Sequence, residues 1–421
     1  MSEINPKLLY RNIFDAIEHE NIEDLLNEIV IAAINRSTSD IHIEPFEENV
    51  RLRFRVDGML EVILRYPSRL HSALVSRFKI LSGLKIDEKR IPQDGRVQFD
   101  IKGKDGKPYY ADLRVSTLPT IHGEKIVMRL ASRASDVPSY DKLGFRGNNL
   151  KYIQEAIKAP NGIIVVSGPT GSGKTVTLYS TLKLLNNDDT NIMTIEDPVE
   201  LELEGLSQCQ TNAKVGLTFD AGLRAALRQD PDKIMIGEIR DLETAEVAIH
   251  AALTGHLVLS TIHTNSAAET INRFDNMGVA KYLIASSLRT VIAQRLIRRI
   301  CPNCKKECPI SKDVFEDIQK VINSLHPTEE LDPALLSNLK LYKGEGCAKC
   351  AGTGYKGRIG IYEILMIQGR VIDAILKGLT VQECEKVAME EGMCSLRQDG
   401  IIKVLEGYTT IDEVYRVCNS H

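Results

Sequence analysis

Apolar and polar residues alternate along residues 50–56, which read VRLRFRV. A period of two predicts a β-strand with one apolar face and one face that carries three arginines. Asp57 and Gly58 follow directly, and this pair favours a two-residue hairpin turn into another strand. The strand signals begin earlier, in the sequence SDIHIEP at 39–45. This part of the chain therefore predicts an antiparallel sheet.

Two amphipathic helices accompany these strands. Apolar residues recur every three or four positions after Asn21 and again through residues 68–84, which is helical spacing. Asn21 is a suitable N-cap for the first helix. Alternation returns at 109–115 and 126–130. The first third of the chain is therefore predicted to be a small α/β domain.

Arg114 and Arg129 lie on the polar side of these later strands, so we expect both on the exposed face of the sheet. Exposure to solvent is the ordinary situation for a charged residue, and it accounts for each arginine singly. Their number leaves a second interpretation open, a surface that meets phosphate or the acidic groups of a partner. Residues 131–145 then lose all periodicity, which predicts a linker.

The middle of the chain contains short continuous apolar runs, which predict buried parallel strands. One run, 163–167, leads directly into GPTGSGKT at 168–175, and a helical pattern follows over 176–185. Strand, glycine-rich loop and helix form the context that a phosphate-binding loop requires. The predicted nucleotide-binding residues are Gly168, Pro169, Thr170, Gly171, Ser172, Gly173, Lys174 and Thr175.

Each part of this loop has a chemical task. The glycines let backbone N–H groups turn toward phosphate oxygens, and the helix N-terminus adds partial positive charge. Lys174 is expected to contact the outer phosphates of ATP, and the Thr175 hydroxyl is suited to bind Mg²⁺. The sequence therefore predicts nucleotide binding at this loop.

Two further apolar strands end in acidic residues. Residues 191–195 lead into Glu196, and residues 233–237 lead into Glu238. The carboxyl ends of parallel strands line the ligand crevice of an open α/β sheet. Either carboxylate alone could be a structural ion-pair partner, but two beside a phosphate loop favour catalysis. Glu238 is the first choice for polarising the attacking water, and Glu196 is the second.

A histidine follows the next predicted strand. Residues 256–262 are mostly apolar, and His263 comes directly after them. A single histidine at a strand end is more often structural, but its neighbours here make a γ-phosphate-sensing role plausible. Arg240 is another cation at these strand ends, and the adjacent Asp241 could pair with it.

The last quarter contains two CxxC pairs, Cys301 with Cys304 and Cys347 with Cys350. Four thiolates complete the tetrahedral shell of zinc, so the predicted site is structural and has no open position for catalysis. An iron–sulfur cluster is the minor alternative. Cys308 could compete as a ligand, but the paired spacing favours the other four. Helical patterns then close the chain.

Composition narrows the function classes. The 421 residues suffice for two or three domains, and the net charge of −4 gives no reason to expect nucleic acid as a partner. No apolar run is long enough for a membrane span, and the N-terminus lacks the apolar stretch of a signal peptide. We therefore expect a cytoplasmic protein whose cysteines are mostly reduced.

Taken together, these motifs resemble the secretion ATPases that drive type II secretion and type IV pilus assembly. Besides the phosphate loop and the cysteine pairs, the resemblance rests on SDIHIEP, RFRVDG (53–58), RVSTLPTIHGEKIVMR (114–129), TIEDPVE (194–200), GEIRD (237–241), STIHTN (260–265) and GRIGIYEIL (357–365). The resemblance implies a PAS-like N-terminal α/β domain, a RecA-like ATPase domain, a zinc subdomain and C-terminal helices. The corresponding boundaries are 1–132, a linker at 133–146, then 147–300, 301–360 and 361–421.

The resemblance also implies a mechanism. A homohexamer would hydrolyse ATP with Mg²⁺ at the cytoplasmic face of the inner membrane and push pilin subunits into a growing fibre. Its partners would be an inner-membrane platform protein and a membrane-anchored docking protein. Arg114 and Arg129 match family residues that reach a nucleotide held by the same or a neighbouring subunit. Many members carry a further N-terminal docking domain, whereas here only residues 1–38 precede SDIHIEP, so docking is expected to use those residues, another surface or another partner.

Three alternative functions share the phosphate loop. A pilus-retraction motor usually lacks the four cysteines, so the CxxC pairs argue against it. A DNA-uptake or conjugation motor is not favoured, because the sequence shows no basic channel and contains no tryptophan for base stacking. A low-turnover nucleotide-binding regulator is disfavoured by the presence of Glu196, Glu238 and His263.

Overall fold

The computed structural model describes residues 9–131, 137–329, 331–333, 335 and 339–418. These residues fall into two compact units, one within 1–132 together with 345–356 and the other within 133–344 together with 357–421. The fold is α/β, as the sequence predicts, with a large sheet in each unit. Among the residues described, no helix is long and apolar enough to cross a membrane. The finer domain boundaries stay predictions.

Over the described residues 9–131, the N-terminal unit contains one antiparallel sheet and three α-helices. Its elements are α1 (Arg11–Glu18), α2 (Ile22–Asn35), β1 (Thr38–Pro45), β2 (Asn49–Val56), β3 (Met59–Pro67), α3 (His71–Leu81), β4 (Gln93–Lys102), β5 (Pro108–Thr120) and β6 (Gly123–Leu130). The strand order is β3-β2-β1-β6-β5-β4, and each neighbouring pair is antiparallel. Asn21 caps α2 as predicted, because its side chain accepts hydrogen bonds from two backbone N–H groups of the first turn.

The two faces of this sheet differ as the alternation predicts. Leu52 and Phe54 are fully buried in the core of the unit. On the opposite face, Glu44 accepts hydrogen bonds from Arg51 Nε at 2.9 Å and from Arg53 Nη2 at 2.6 Å. Burial of Glu44 would raise its pKa, but hydrogen bonds from Arg53 and other cations outweigh burial and lower the pKa to about 2. These two arginines therefore serve an ion-pair network within the sheet.

The second unit contains a seven-stranded sheet with helices on both faces, and a separate two-stranded antiparallel sheet formed by residues 305–308 and 341–344. Its elements before the cysteine region are α4 (Tyr140–Leu143), α5 (Gly147–Ala156), β7 (Gly162–Ser167), α6 (Lys174–Leu185), β8 (Ile192–Glu196), β9 (Ser207–Gln210), α7 (Phe219–Ala226), β10 (Lys233–Ile236), α8 (Leu242–Leu253), β11 (Leu257–Ile262), α9 (Ala267–Asn276), α10 (Lys281–Ser287) and β12 (Leu288–Ile300). The later elements are β13 (Lys305–Cys308), α11 (Lys312–Asn323), β14 (Leu341–Gly344), β15 (Tyr355–Met366), α12 (Gly369–Lys377), α13 (Val381–Glu390), α14 (Leu396–Leu405) and α15 (Ile411–Cys418).

The strand order in the seven-stranded sheet is β15-β12-β7-β11-β10-β8-β9. The six strands from β12 to β9 in that order are parallel to one another. Every residue of β7 is buried. Ile163 and Val165 pack into one apolar core, whereas Ile164 and Val166 pack into another. Both faces of the sheet are therefore covered, which explains the continuous apolar runs in the sequence.

The segment predicted as a linker, 131–145, is structured over its second half. Residues 132–136 lie outside the described part of the chain. Tyr140 and Leu143 form a buried helical turn, and Phe145 stacks on Tyr362 with ring centroids 3.8 Å apart. A four-residue helix is too short to show a period, so its aromatic anchors are not recognisable from the pattern.

Candidate functional site

The phosphate loop connects β7, in the interior of the sheet, to the N-terminus of α6. The strand and helix predicted on either side of the loop are therefore confirmed. Gly168 and Gly173 have φ values of 148° and 89°, a region that favours glycine. A Cβ atom on Gly168 would lie 2.5 Å from Ser172 Oγ, so a larger residue would force the loop to shift. The loop is a tight turn whose backbone lines a cavity of about 410 Å³.

Lys174 lies at the start of α6 and points back into the loop. Its Nζ donates hydrogen bonds to the carbonyl oxygens of Gly168 at 2.7 Å and Pro169 at 3.2 Å. Burial, together with the charge of Arg295, lowers the pKa of Lys174 to about 8, although Glu238 opposes the shift. The oxygens of a bound phosphate would supply the negative charge that favours protonated Lys174.

Three strand ends meet beside this loop. The N–H of Gly237 donates to Ile195 O at 2.8 Å, and Thr261 Oγ1 donates to Gly237 O at 2.7 Å. These bonds fix the carboxyl ends of β8, β10 and β11 next to one another. Glu196, Glu238 and His263 consequently line the same cavity as Lys174.

Glu238 is the more accessible of the two strand-end glutamates, with a side chain that is 14% exposed. One carboxylate oxygen accepts a hydrogen bond from Arg240, and the other lies 3.6 Å from His263 Nε2. Burial and the nearby charge of Lys174 lower the pKa of His263, so its imidazole is neutral at pH 7. The cavity therefore brings a carboxylate, a neutral imidazole and the loop lysine together.

The suggested pairing of Arg240 with Asp241 is wrong. Arg240 binds Glu238 instead, and Asp241 is the N-cap of α8, where its Oδ1 accepts a hydrogen bond from Thr244 N at 2.8 Å. Asp241 is the last residue before the helix, and the exposed N–H groups of a first helical turn need such an acceptor.

Glu196 is only 3% exposed, and protein donors occupy its carboxylate. One oxygen accepts hydrogen bonds from Thr194 Oγ1 at 2.6 Å and Gln208 Nε2 at 3.1 Å. The other oxygen accepts a hydrogen bond from the buried hydroxyl of Tyr179. The same hydroxyl accepts a bond from the N–H of Glu200 at 3.3 Å. Glu196 thus anchors the loop that follows β8.

Arg114 and Arg129 lie in the N-terminal unit, where they are direct cross-strand partners on β5 and β6. Arg129 Nε donates to Asp40 Oδ1 at 2.9 Å. Both arginines line a cavity of about 410 Å³ in this unit, together with Arg96. Three arginines therefore lie side by side on the face that the strand pattern predicts, and Asp40 and Asp94 line the same cavity.

The four predicted metal ligands form one cluster. The Sγ atoms of Cys301, Cys304, Cys347 and Cys350 all lie within 4.8 Å of one another. Cys347 Sγ and Cys350 Sγ are 3.7 Å apart, close to the roughly 3.8 Å edge of a tetrahedron with Zn–S bonds of about 2.3 Å. Cys308 is not part of the cluster. The geometry fits a tetrahedral metal ion.

Comparison with known proteins identifies the family. Residues 15–416 match the family described as type II/IV secretion system protein. The chain belongs to this family. It is 45% identical over 399 residues to the type IV pilus assembly ATPase PilB of Myxococcus xanthus. The aligned region covers 95% of this chain and 68% of that protein. It is 44% identical over 410 residues to the type II secretion system ATPase E of Vibrio cholerae. This aligned region covers 96% of this chain and 77% of that protein.

Solved structures agree on the fold. The chain superposes on the ATPase DotB of Legionella pneumophila with a TM-score of 0.65, over 94% of this chain and 95% of that one, at 22% identity. The chain spans 43% of the length of the type IV pilus assembly ATPase PilB of Thermus thermophilus and 77% of the length of the Vibrio cholerae protein. The chain is a phosphate-loop ATPase of the secretion family.

The cavity also contains charged residues that were not predicted as site residues, and Glu200 and Arg358 are two of them. Both are exposed. Glu200 could have been found as a further acid of the EDPVE run after β8. Arg358 is far from the loop in sequence and reaches the cavity only because β15 joins the same sheet, so no local pattern indicates it.

Proposed function

We propose that this secretion ATPase uses ATP hydrolysis to power assembly of a type IV pilus or of a type II secretion pseudopilus, as a homohexamer at the cytoplasmic face of the inner membrane. The observation that carries the proposal is the meeting of Lys174, Glu238 and His263 in one cavity at the end of adjacent strands. The two candidate systems come from the names of relatives that cover at least 95% of the chain.

The residues of the cavity divide the chemistry among them. Lys174 binds the outer phosphates, and the Thr175 hydroxyl binds Mg²⁺. Glu238 polarises the attacking water, because it is the less buried of the two strand-end glutamates and has a cation on one oxygen. His263 senses the γ-phosphate by contacting it as a neutral hydrogen-bonding group. Its Nε2 lies 3.6 Å from a carboxylate oxygen of Glu238, so the sensing group is next to the catalytic carboxylate.

Additional positive charge comes from the N-terminal unit. Phosphoryl transfer spreads negative charge over the γ-phosphate oxygens, and a well-placed arginine can raise turnover by about 10³-fold or more. Arg114 and Arg129 supply this charge to a nucleotide of the same or a neighbouring subunit. Their cross-strand pairing at the rim of one cavity supports a joint role.

The cysteine cluster holds one structural Zn²⁺ ion. Four thiolates fill the coordination shell, so the ion contributes folding energy and leaves no position for a substrate. The membrane association of the ring depends on an inner-membrane platform protein and a membrane-anchored docking protein. Nucleic acid is not a partner, in keeping with the net charge of −4.

The test is assembly in cells that lack the native gene. Complementation with the wild-type gene should restore either surface fibres or export of secreted enzymes, which identifies the system. Glu238→Gln should restore neither, whereas Glu246→Gln, a change at an exposed glutamate of α8 outside the cavity, should behave as wild type. Normal fibres and normal export with Glu238→Gln, at equal protein level, would contradict the proposal.

A further inference from the structure

Strand β12 places two polar side chains inside the protein directly behind the phosphate loop. Gln294 and Arg295 are 1% and 6% exposed. The strand runs parallel to β7, with Ala293 opposite Ser167, the residue before the loop begins. A buried amide beside a phosphate loop needs partners for both its N–H₂ group and its oxygen. The contacts of Gln294 show which partners it has.

Both ends of the Gln294 amide are hydrogen-bonded. Its Nε2 donates to the carbonyl oxygen of Ser172 at 2.9 Å, and its Oε1 accepts from Thr177 Oγ1 at 2.7 Å. A Cβ atom on Gly173 would lie 2.9 Å from this Nε2. Glycine at position 173 therefore lets the amide approach the loop backbone.

We propose that Gln294 is a positioning residue that orients the peptide between Ser172 and Gly173 for phosphate binding. A peptide unit is planar and trans, so its C=O and N–H point in opposite directions. Because Gln294 holds the Ser172 carbonyl toward β12, the Gly173 N–H is directed away from β12, into the loop. Gly173 also lines the nucleotide cavity. The amide thus prepares one of the N–H donors on which the phosphate loop depends.

The amide is the group that this position requires. A glutamate would keep an acceptor for Thr177 but would lose the donor to Ser172 O, and it would place negative charge near the phosphates. A methionine has a similar length and shape but makes neither hydrogen bond. If the peptide between Ser172 and Gly173 is no longer fixed, it must be reoriented each time a nucleotide binds.

The inference rests on nucleotide binding at the phosphate loop, and its test uses binding rather than fibre assembly. The purified full chain is titrated with a fluorescent MgADP analogue, and Kd is compared between wild type and Gln294→Met. We expect Kd to rise about tenfold, the loss of roughly one hydrogen bond to a bound anion. The KM for MgATP should rise similarly, and kcat should stay within about threefold. Absence of binding by the wild type would count against the proposed function itself.

Thr177→Val is the matched control, because it removes the other hydrogen bond of Gln294 and leaves the bond to Ser172 in place. We expect its Kd to change less than about threefold, even if both variants lose thermal stability to a similar extent. An unchanged Kd in Gln294→Met would show that the residue only stabilises the fold. Equal weakening in both variants would show that anchoring of α6, rather than orientation of the Ser172–Gly173 peptide, matters. Either result would overturn the proposal.

Discussion

Glu196 and Glu238 end adjacent strands of the same sheet, yet their surroundings give them different tasks. Glu196 is enclosed by donors from Tyr179, Thr194 and Gln208, whereas Glu238 faces the cavity beside Arg240 and His263. A carboxylate whose oxygens already accept three hydrogen bonds has little capacity left to bind water. Of the two, Glu238 is therefore the residue that we propose polarises the attacking water.

Glu196→Gln should chiefly reduce stability. The amide N–H₂ would face groups that donate to the carboxylate, and the resulting loss is about 1–3 kcal/mol in the free energy of unfolding. Denaturant unfolding of the two proteins measures this loss. At a temperature at which both are folded, we expect the variant to keep most of its turnover. A variant of wild-type stability that has lost all turnover would show that Glu196 acts in the chemistry.

The lowered pKa of Lys174, about 8, predicts a pH dependence of nucleotide binding. A bound phosphate favours the protonated lysine, so affinity is complete below about pH 8 and decreases above it, where binding must also recruit a proton. Titration with a fluorescent MgADP analogue from pH 6.5 to 9.5 measures this dependence. A constant Kd over that range would contradict the assigned environment of Lys174.

At the scale of the element, the sequence predicts those helices and strands whose pattern is local. The alternating strands of the N-terminal sheet and the apolar runs of β7 and β11 are of this kind. Strands β12 and β15 do not show such a local pattern, because they carry buried polar residues such as Gln294, Arg295 and Glu363. Glu363 accepts a hydrogen bond from the N–H of Ala267, far away in sequence. Long-range partners of this kind leave no periodic signal.

The residues of the site likewise divide into those with a local sequence pattern and those that depend on partners far away in sequence. The phosphate loop and the cysteine pairs are recognisable because their ligands are close together in sequence and have fixed spacing. The pairing of Arg240 was predicted wrongly because both Glu238 and Asp241 are near it in sequence, and only the start of α8 decides between them. The positions of Arg358 and Gln294 beside the phosphate loop can be recognised only once the strands are assembled into the sheet.

The cysteine cluster supports a prediction about metal. Cys347→Ser should lower the zinc content from about one ion per chain and destabilise residues 300–360, because metal binding is coupled to folding in such sites. Elemental analysis and hydrogen exchange measure the two effects. Cys308→Ser, at a cysteine outside the cluster, is the control and should keep its zinc. Carefully prepared wild-type protein without zinc, or with an iron–sulfur absorption spectrum, would contradict the assignment.

At the scale of the whole molecule, the proposed ring makes activity a shared property of subunits. Arg114→Ala and Arg129→Ala should each reduce turnover strongly and change nucleotide affinity only a few-fold, because their charge acts on the transition state. The measurement is kcat from phosphate release beside Kd from titration. Arg65→Ala, at a position on β3 outside the cavity that holds the two arginines, is the control. Full turnover in both variants would show that these arginines are only solvent-exposed charges on the face of the sheet and have no role in catalysis.

Mixing experiments test the ring itself. Inactive Glu238→Gln chains added to wild-type chains should reduce ATPase activity by more than their fraction of the mixture, since each ring then contains subunits that cannot hydrolyse ATP. Activity per chain should also rise with protein concentration as rings assemble. A strictly proportional loss, with specific activity independent of concentration, would mean that each subunit works alone.

The most direct test of the proposed ATP-driven motor is steady-state phosphate release by the purified chain with MgATP, compared between wild type, Glu238→Gln and Lys174→Ala. We expect turnover by the wild type alone. Glu238→Gln should still bind nucleotide, because it keeps the shape of the side chain and removes only the charge that polarises water, whereas Lys174→Ala should lose most nucleotide affinity because the loop cation is gone. Wild-type turnover in Glu238→Gln would contradict the assigned catalytic residue, and no turnover by the wild type under ring-forming conditions would contradict the motor function.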